Sequence, residues 1–92
     1  MTRNVLVTGA SKGIGRAIAL RLAQDGFQVV VHYHRDEQGA QQTLAEIEAA
    51  GGNGRLLAFD VAQREATRSA IEQDIAAHGA YYGVVNNAGI TR

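Results

Sequence analysis

Residues 4 to 15 read Asn4-Val5-Leu6-Val7-Thr8-Gly9-Ala10-Ser11-Lys12-Gly13-Ile14-Gly15, and the character of the chain changes midway through them. The run from Asn4 to Thr8 is continuously apolar rather than alternating, the pattern of a strand buried on both faces. Gly9 ends it and lets the chain leave the strand sharply. A helix is expected from Gly13, with Ile14, Ala17, Ile18 and Leu22 as its apolar stripe and Arg16 and Arg21 off that stripe. Asp25-Gly26 closes it, Gly26 serving as a left-handed cap. Such a turn aims the free N–H groups and the positive dipole end of the helix at one space, where an anion is the natural occupant. Gly13 and Gly15 omit side chains where a pyrophosphate and the neighbouring strand would be crowded. The spacing is G-x-x-x-G-x-G, neither G-x-G-x-x-G nor the phosphate loop G-x-x-x-x-G-K-[ST]. An ordinary glycine-rich turn is the alternative; the position between a buried strand and a helix favours the anion.

Outward from this turn the chain alternates. Phe27 to Tyr33, centred on Val29-Val30-Val31, reads as a second buried strand. Asp36 to Ala50 reads as a helix with Asp36 as N-cap and Ala40, Leu44 and Ile47 as its stripe. Gly51-Gly52-Asn53-Gly54 turns the chain. A third strand is expected over Arg55–Asp60 and a helix over Arg64–His78, with Ile71, Ile75 and His78 on one face and Gly79 ending it. Tyr82 to Asn86 is the last strand. The order β-α-β-α-β-α-β implies an α/β fold, a parallel sheet with helices on both faces. A Rossmann-type sheet is the expectation. Element order alone leaves another parallel fold, such as the flavodoxin-like one, open.

Composition bounds the rest. The chain has 92 residues, 46% hydrophobic and 20% charged, which fits one globular domain. Nine basic residues balance nine acidic ones, which excludes a nucleic-acid footprint and gives no reason for an anionic membrane partner. No cysteine is present, so disulfides and thiolate metal sites are excluded. The start is too short in apolar length for a signal peptide or a bilayer span, and a soluble cytoplasmic protein is expected. Eleven glycines without a proline suit tight strand-to-helix turns. His32 and His34 share a strand face but lack a third ligand, so no metal site is expected.

In an open α/β sheet, ligands sit outside the carboxyl ends of the strands. Parallel strands would gather there Gly9, then His34 and Arg35, then Asp60, then Asn86-Asn87-Ala88-Gly89. An NAD site usually carries an acid after the second strand to receive the ribose 2′-OH. Tyr33 holds that place, and His34 and Arg35 follow, with Lys12 in the glycine turn. Cations there suit a 2′-phosphate, so NADP(H) is the expected cofactor. Asp60 has two readings: an acceptor for the exocyclic amine of adenine, which is favoured, or a cap on the following turn. Asn87 and Gly89 would shape the crevice floor.

With these residues placed, the chain resembles the amino-terminal half of a short-chain dehydrogenase/reductase, over essentially all 92 residues. Thr8-Gly9-Ala10-Ser11-Lys12-Gly13-Ile14-Gly15 is similar to that family's T-G-x-x-x-G-I-G turn. Asp60-Val61 is similar to its adenine-contacting pair, and Asn86-Asn87-Ala88-Gly89 to its N-N-A-G segment. Gly15-Arg16-Ala17-Ile18-Ala19 and Ala88-Gly89-Ile90-Thr91-Arg92 look most like the 3-oxoacyl-[acyl-carrier-protein] reductases of fatty acid biosynthesis. The resemblance implies that Gly9, Ala10, Ser11, Lys12, Gly13, Ile14 and Gly15 hold the pyrophosphate and adenosine ribose. It implies that Lys12, His34 and Arg35 surround the 2′-phosphate and that Asp60 and Val61 bind adenine. Asn87, Ala88 and Gly89 would line the ribose side, with Thr8 bonded toward them.

The resemblance also implies catalysis by Ser, Tyr, Lys and Asn, with Tyr and Lys spaced Y-x-x-x-K. This chain holds no such pair. Lys12, its sole lysine, follows Thr8 by four residues, and Tyr33, Tyr81 and Tyr82 precede Glu37, Val85 and Asn86 at that spacing. The expectation is therefore that residues 1–92 are the amino-terminal part of a single dinucleotide-binding Rossmann domain, with no catalytic residue of its own. The parent would be a reductase acting on a small-molecule or carrier-bound 3-oxoacyl substrate, commonly a homotetramer. A non-catalytic NADP-binding or sensing module on the same fold is the alternative. With the partners of its last strand missing, the isolated chain should be marginal or aggregate.

Overall fold

The computed structural model describes residues 3–87. Four strands, β1 (Asn4–Val7), β2 (Gln28–Tyr33), β3 (Asn53–Ala58) and β4 (Tyr81–Val85), alternate with α1 (Gly13–Gln24), α2 (Glu37–Ala49) and α3 (Arg64–His78). All pairings are parallel and the sheet order is β3-β2-β1-β4. The chain steps outward from β1 to β2 to β3, then crosses back to lie on the other side of β1. That order is the Rossmann half-sheet; a flavodoxin-like chain would set its third strand beside its first. Right-handed crossovers then put α1 and α2 on one face and α3 on the other. Side chains of β3 agree: Gly54 lies under Leu44 and Ile47 of α2, while its neighbour Arg55 reaches Asp74 of α3.

The core forms on the α1–α2 face, where Val5, Val7, Val29 and Val31 pack on Ala10, Ala19, Ala23, Ala40 and Ile47. Leu6 and Val30 are buried on the opposite face. Every residue of β1 is buried, as its unbroken apolar run predicts. α1 differs from expectation. Its buried residues are Gly15, Ala19 and Ala23, while Ala17 is exposed and Ile14 is 73% exposed. The helix lies so close to the sheet that only small residues fit at its innermost positions, and Ile18 and Leu22 of the expected stripe pack half-buried at the margin of the core. Arg16 is not a solvent residue either, as described below.

β3 begins two residues before its expected start. Asn53 and Gly54 read as turn formers, yet they pair with Gln28 and Val29. A Cβ at Gly54 would come within 2.8 Å of the Val29 carbonyl, so this strand position requires glycine. On α3 the inner face runs along Ile71, Asp74 and Ile75: Asp74 is buried and the two isoleucines are half-buried, as the stripe predicts, while His78 is exposed. Asp74 accepts two bonds from Arg55, at 2.8 and 2.6 Å, and one from the Tyr81 hydroxyl at 2.7 Å. The Arg55 bonds hold its carboxyl below the usual carboxylate range despite burial, and the Tyr81 phenol is pushed up by burial and by Asp74. Arg55 also donates to Asn4, which donates to the His78 carbonyl, tying β1, β3, α3 and β4 at the end of the sheet away from the glycine turn. No helix among the described residues is long and apolar enough to cross a membrane.

Candidate functional site

At the carboxyl edge of the sheet the strand order reverses beside β1, and a cleft of about 520 Å³ opens there. That is within the range of small-molecule sites. It is lined by Gly9, Ser11, Lys12, Gly13 and Ile14 of the first turn, by His32 through Asp36 at the end of β2, and by Val61 and Asn87.

The turn is built by two glycines with positive φ, both +63°, at Gly9 and Gly13. L side chains disfavour that region by about 1–2 kcal/mol. The space beside Gly13 is open, whereas a Cβ at Gly15 would run into the Gly9 carbonyl and the Asn87 amide. Gly13 therefore keeps the mouth of the cleft clear, and Gly15 lets α1 pack against the turn itself. Gly15 does not line the cleft. Neither does Ala10, which is fully buried; its N–H donates to the His32 carbonyl and its carbonyl accepts from Thr43.

α1 begins without a side-chain cap and without an acid in its first turn. α2 is capped by Asp36, which accepts from the Gly39 N–H at 3.0 Å. The positive end of α1 thus faces the cleft with its first N–H groups free of side-chain partners, an arrangement suited to an anion. Lys12, Ser11 and the exposed Ile14 surround it.

Three residues to which sequence reading gave no part in the site hold this turn from behind. Arg16 donates to the Ser11 and Gly39 carbonyls, at 2.6 and 3.0 Å, and to the Thr43 hydroxyl at 2.8 Å. Thr43, fully buried, donates to the Ala10 carbonyl at 2.8 Å. His32, 2% exposed, accepts from the Gly9 N–H at 2.9 Å. Arg16 and His32 are polar residues inside apolar stretches. Apart from Ser11, five residues from Arg16, the partners lie 23 to 33 residues away and were not legible.

On the opposite wall, His34 and Arg35 follow β2 and line the cleft. His34 Nε2 stands 3.6 Å from an Asp60 oxygen. Asp60 does not line the cleft itself; its other oxygen accepts from the Ala62 N–H at 2.9 Å, and its carbonyl receives Gln63 and Thr67. The turn-capping reading of Asp60 is thus realised in the fold. Asp36 lines the cleft, but its carboxylate is engaged with the amide of Gly39. On the β4 side, Thr8 bonds to the Val85 carbonyl and to Asn86, and Asn87 donates to the Gly9 carbonyl at 3.1 Å. Ala88 and Gly89 lie outside the described residues.

A family model described as short chain dehydrogenase matches residues 3–92. Among curated proteins, the 3-oxoacyl-[acyl-carrier-protein] reductase FabG of Aggregatibacter actinomycetemcomitans is 49% identical over 92 residues, which are 100% of this chain and 38% of that protein. The 3beta-hydroxysteroid dehydrogenase 1 of Eggerthella lenta is 40% identical over 88 residues, 96% of this chain and 34% of that one. Among solved structures, acetoin dehydrogenase from Enterobacter cloacae superposes with a TM-score of 0.85 at 40% identity, covering 94% of this chain and 35% of that one. The chain thus spans little more than a third of the length of the relatives it matches.

Proposed function

The chain belongs to the short-chain dehydrogenase family, and from that premise we propose that it holds the adenosine and diphosphate end of NADP(H) in a carbonyl reductase. One observation carries the reading. The uncapped amino terminus of α1, cleared by Gly13, opens on the same cleft as Lys12, His34 and Arg35. The helix end suits the diphosphate, and the three basic side chains suit a 2′-phosphate. The acid nearest that wall, Asp36, also caps α2, accepting the Gly39 N–H at one carboxylate oxygen. Val61 would face adenine, with Asp60 in the turn that follows β3, and Asn87 would line the ribose side.

When bound, the cofactor supplies a hydride for reduction of a carbonyl to a hydroxyl. The chain's own residues bind and orient the cofactor's far end; the chain contains no Tyr and Lys at the family's catalytic spacing. A 3-oxo group, on an acyl thioester carried by a protein, is the substrate class supported by the 49% identity to the FabG reductase. In the whole protein a homo-oligomer, most simply a homotetramer, is the expected assembly.

Calorimetric titration of the full-length protein with NADPH and NADH tests the cofactor. NADPH should bind at least about tenfold more tightly, since the 2′-phosphate forms charge-assisted bonds. Tighter binding of NADH would overturn the assignment. Oxidation of NADPH by a 3-oxoacyl thioester tests the substrate, and binding without turnover would instead favour a sensing module.

A further inference from the structure

The glycine turn has a fastening that its own sequence does not reveal. Gly9 leaves β1 at φ +63°, and its N–H turns inward to the Nδ1 atom of His32, 2.9 Å away. The other ring nitrogen of His32 is 2.8 Å from the carbonyl of Phe59. A carbonyl only accepts, so Nε2 carries the hydrogen and Nδ1 is the bare acceptor. One neutral tautomer satisfies both partners, and protonated imidazole satisfies only one. The ring is buried against Phe59, with centroids 4.0 Å apart. The His32 carbonyl also receives the Ala10 N–H at 2.9 Å. A single residue of β2 thus holds two consecutive amides of the turn and reaches across to the end of β3.

We propose that His32 is the positioning residue of the dinucleotide site: by accepting the Gly9 N–H while donating to Phe59, it locks the anion-receiving turn to the wall that carries His34 and Asp60. This rests on the dinucleotide reading above. His32 contributes almost no surface and need not touch the cofactor; it acts through the shape of the turn.

The arrangement has a pH signature. Burial holds the His32 imidazole below its ordinary value, the Phe59 carbonyl opposes this, and His34 on the same strand lowers it further. The other charged groups around it are Asp60 beyond β3, 3.6 Å from His34, and Lys12 and Arg35 at the cleft rim. The folded value lies below the free value of 6.5. The lock is therefore complete above that pH and is lost as pH falls through the lower, folded value. Protonation would set an Nδ1–H against the Gly9 N–H, two donors facing each other.

The test uses the full-length protein with the variants His32→Asn and His32→Phe. Asparagine keeps an acceptor near the Gly9 amide and does not titrate; phenylalanine fills the space and accepts nothing. At pH 8, H32N should bind NADPH within about threefold of wild type, and H32F should bind at least about tenfold more weakly, as expected for an orphaned buried donor. The ratio of wild-type to H32N affinity should be constant from pH 8 to 7 and fall as pH drops through the lower, folded value of His32. In that ratio the titrations of His34 and of the cofactor phosphate cancel. Nitrogen-15 NMR should find His32 protonated at Nε2 and bare at Nδ1. If wild type binds neither NADPH nor NADH, the dinucleotide reading itself fails and takes this proposal with it. If wild type binds but H32F binds equally well, or the affinity ratio is flat with pH, or Nδ1 carries the proton, this proposal alone is overturned. Should H32F not fold, the pH ratio and the NMR tautomer decide.

Discussion

At the scale of single residues, the three glycines of the turn do different work, and substitution separates them. Gly13 has open space around it and needs glycine for its φ of +63° and for the cleft mouth. Gly13→Ala should cost about 1–2 kcal/mol of stability, the left-handed penalty, while its methyl enters the cleft and weakens NADPH binding disproportionately. Gly15→Ala forces a methyl into the Gly9 carbonyl and the Asn87 amide. Backbone cannot yield there as a side chain can, so the loss should reach about 3 kcal/mol or more, the upper end for overpacking. Urea unfolding of the full-length protein ranks the two; G13A less stable than G15A would contradict this division of roles. Thr43→Val removes the hydroxyl that serves Ala10 and receives Arg16, and should cost about 1–3 kcal/mol through the polar groups left unpaired in the interior. The glycines were legible in the sequence because only glycine explains their spacing after a buried strand. Arg16, His32 and Thr43 were not, since their roles depend on partners that only the folded chain brings near. Ala10 and Gly15 were read with the lining residues because they share its motif, yet in the fold they support it.

At the scale of elements, helix starts were legible wherever capping chemistry is local. Asp36 caps α2 as its sequence predicts, and Asp36→Ala should lower stability by about 1 kcal/mol, measured by thermal unfolding. The extent of α3 was also legible, from Arg64 to the Gly79 stop, and so was the face of Ile71 and Ile75, but not the buried carboxylate on it. Apolar periodicity pointed to Ile71 and Ile75, and between them on the same face the helix buries Asp74 because Arg55 of β3 meets it. Since Arg55 holds the Asp74 carboxyl below its ordinary value of 3.8, this bond stabilises the fold fully above that pH and is lost as pH falls through the lower, folded value. Asp74→Asn would leave Arg55 with its charge uncompensated, a change costing about 3–5 kcal/mol for a buried pair. The variant's melting temperature should also lose the acid dependence that wild type shows below about pH 4. An unchanged acid limb in the variant would assign that dependence to other carboxylates.

At the scale of the whole molecule, the sheet is covered unequally. β1 lies between β2 and β4 and is buried throughout, but β4 pairs with β1 alone among the described residues. On β4, Val84 is 57% exposed and Tyr82 62% exposed. Tyr82 finds only partial cover, stacked on Phe27 at 5.6 Å and under the Arg3 guanidinium at 4.7 Å. An edge strand with apolar side chains and unpaired backbone groups is a template for association. A chain of this size buries only about two-thirds of its surface and has little stability in reserve. Relatives that carry this same unit are more than twice as long, the chain amounting to 38% of the FabG reductase. The 92-residue chain produced alone should therefore self-associate, giving concentration-dependent species in sedimentation velocity. Val84→Lys, a charge at the exposed edge, should shift that equilibrium toward monomer. A monomeric 92-residue chain with a sharp, concentration-independent melt would show instead that these four strands are sufficient to themselves.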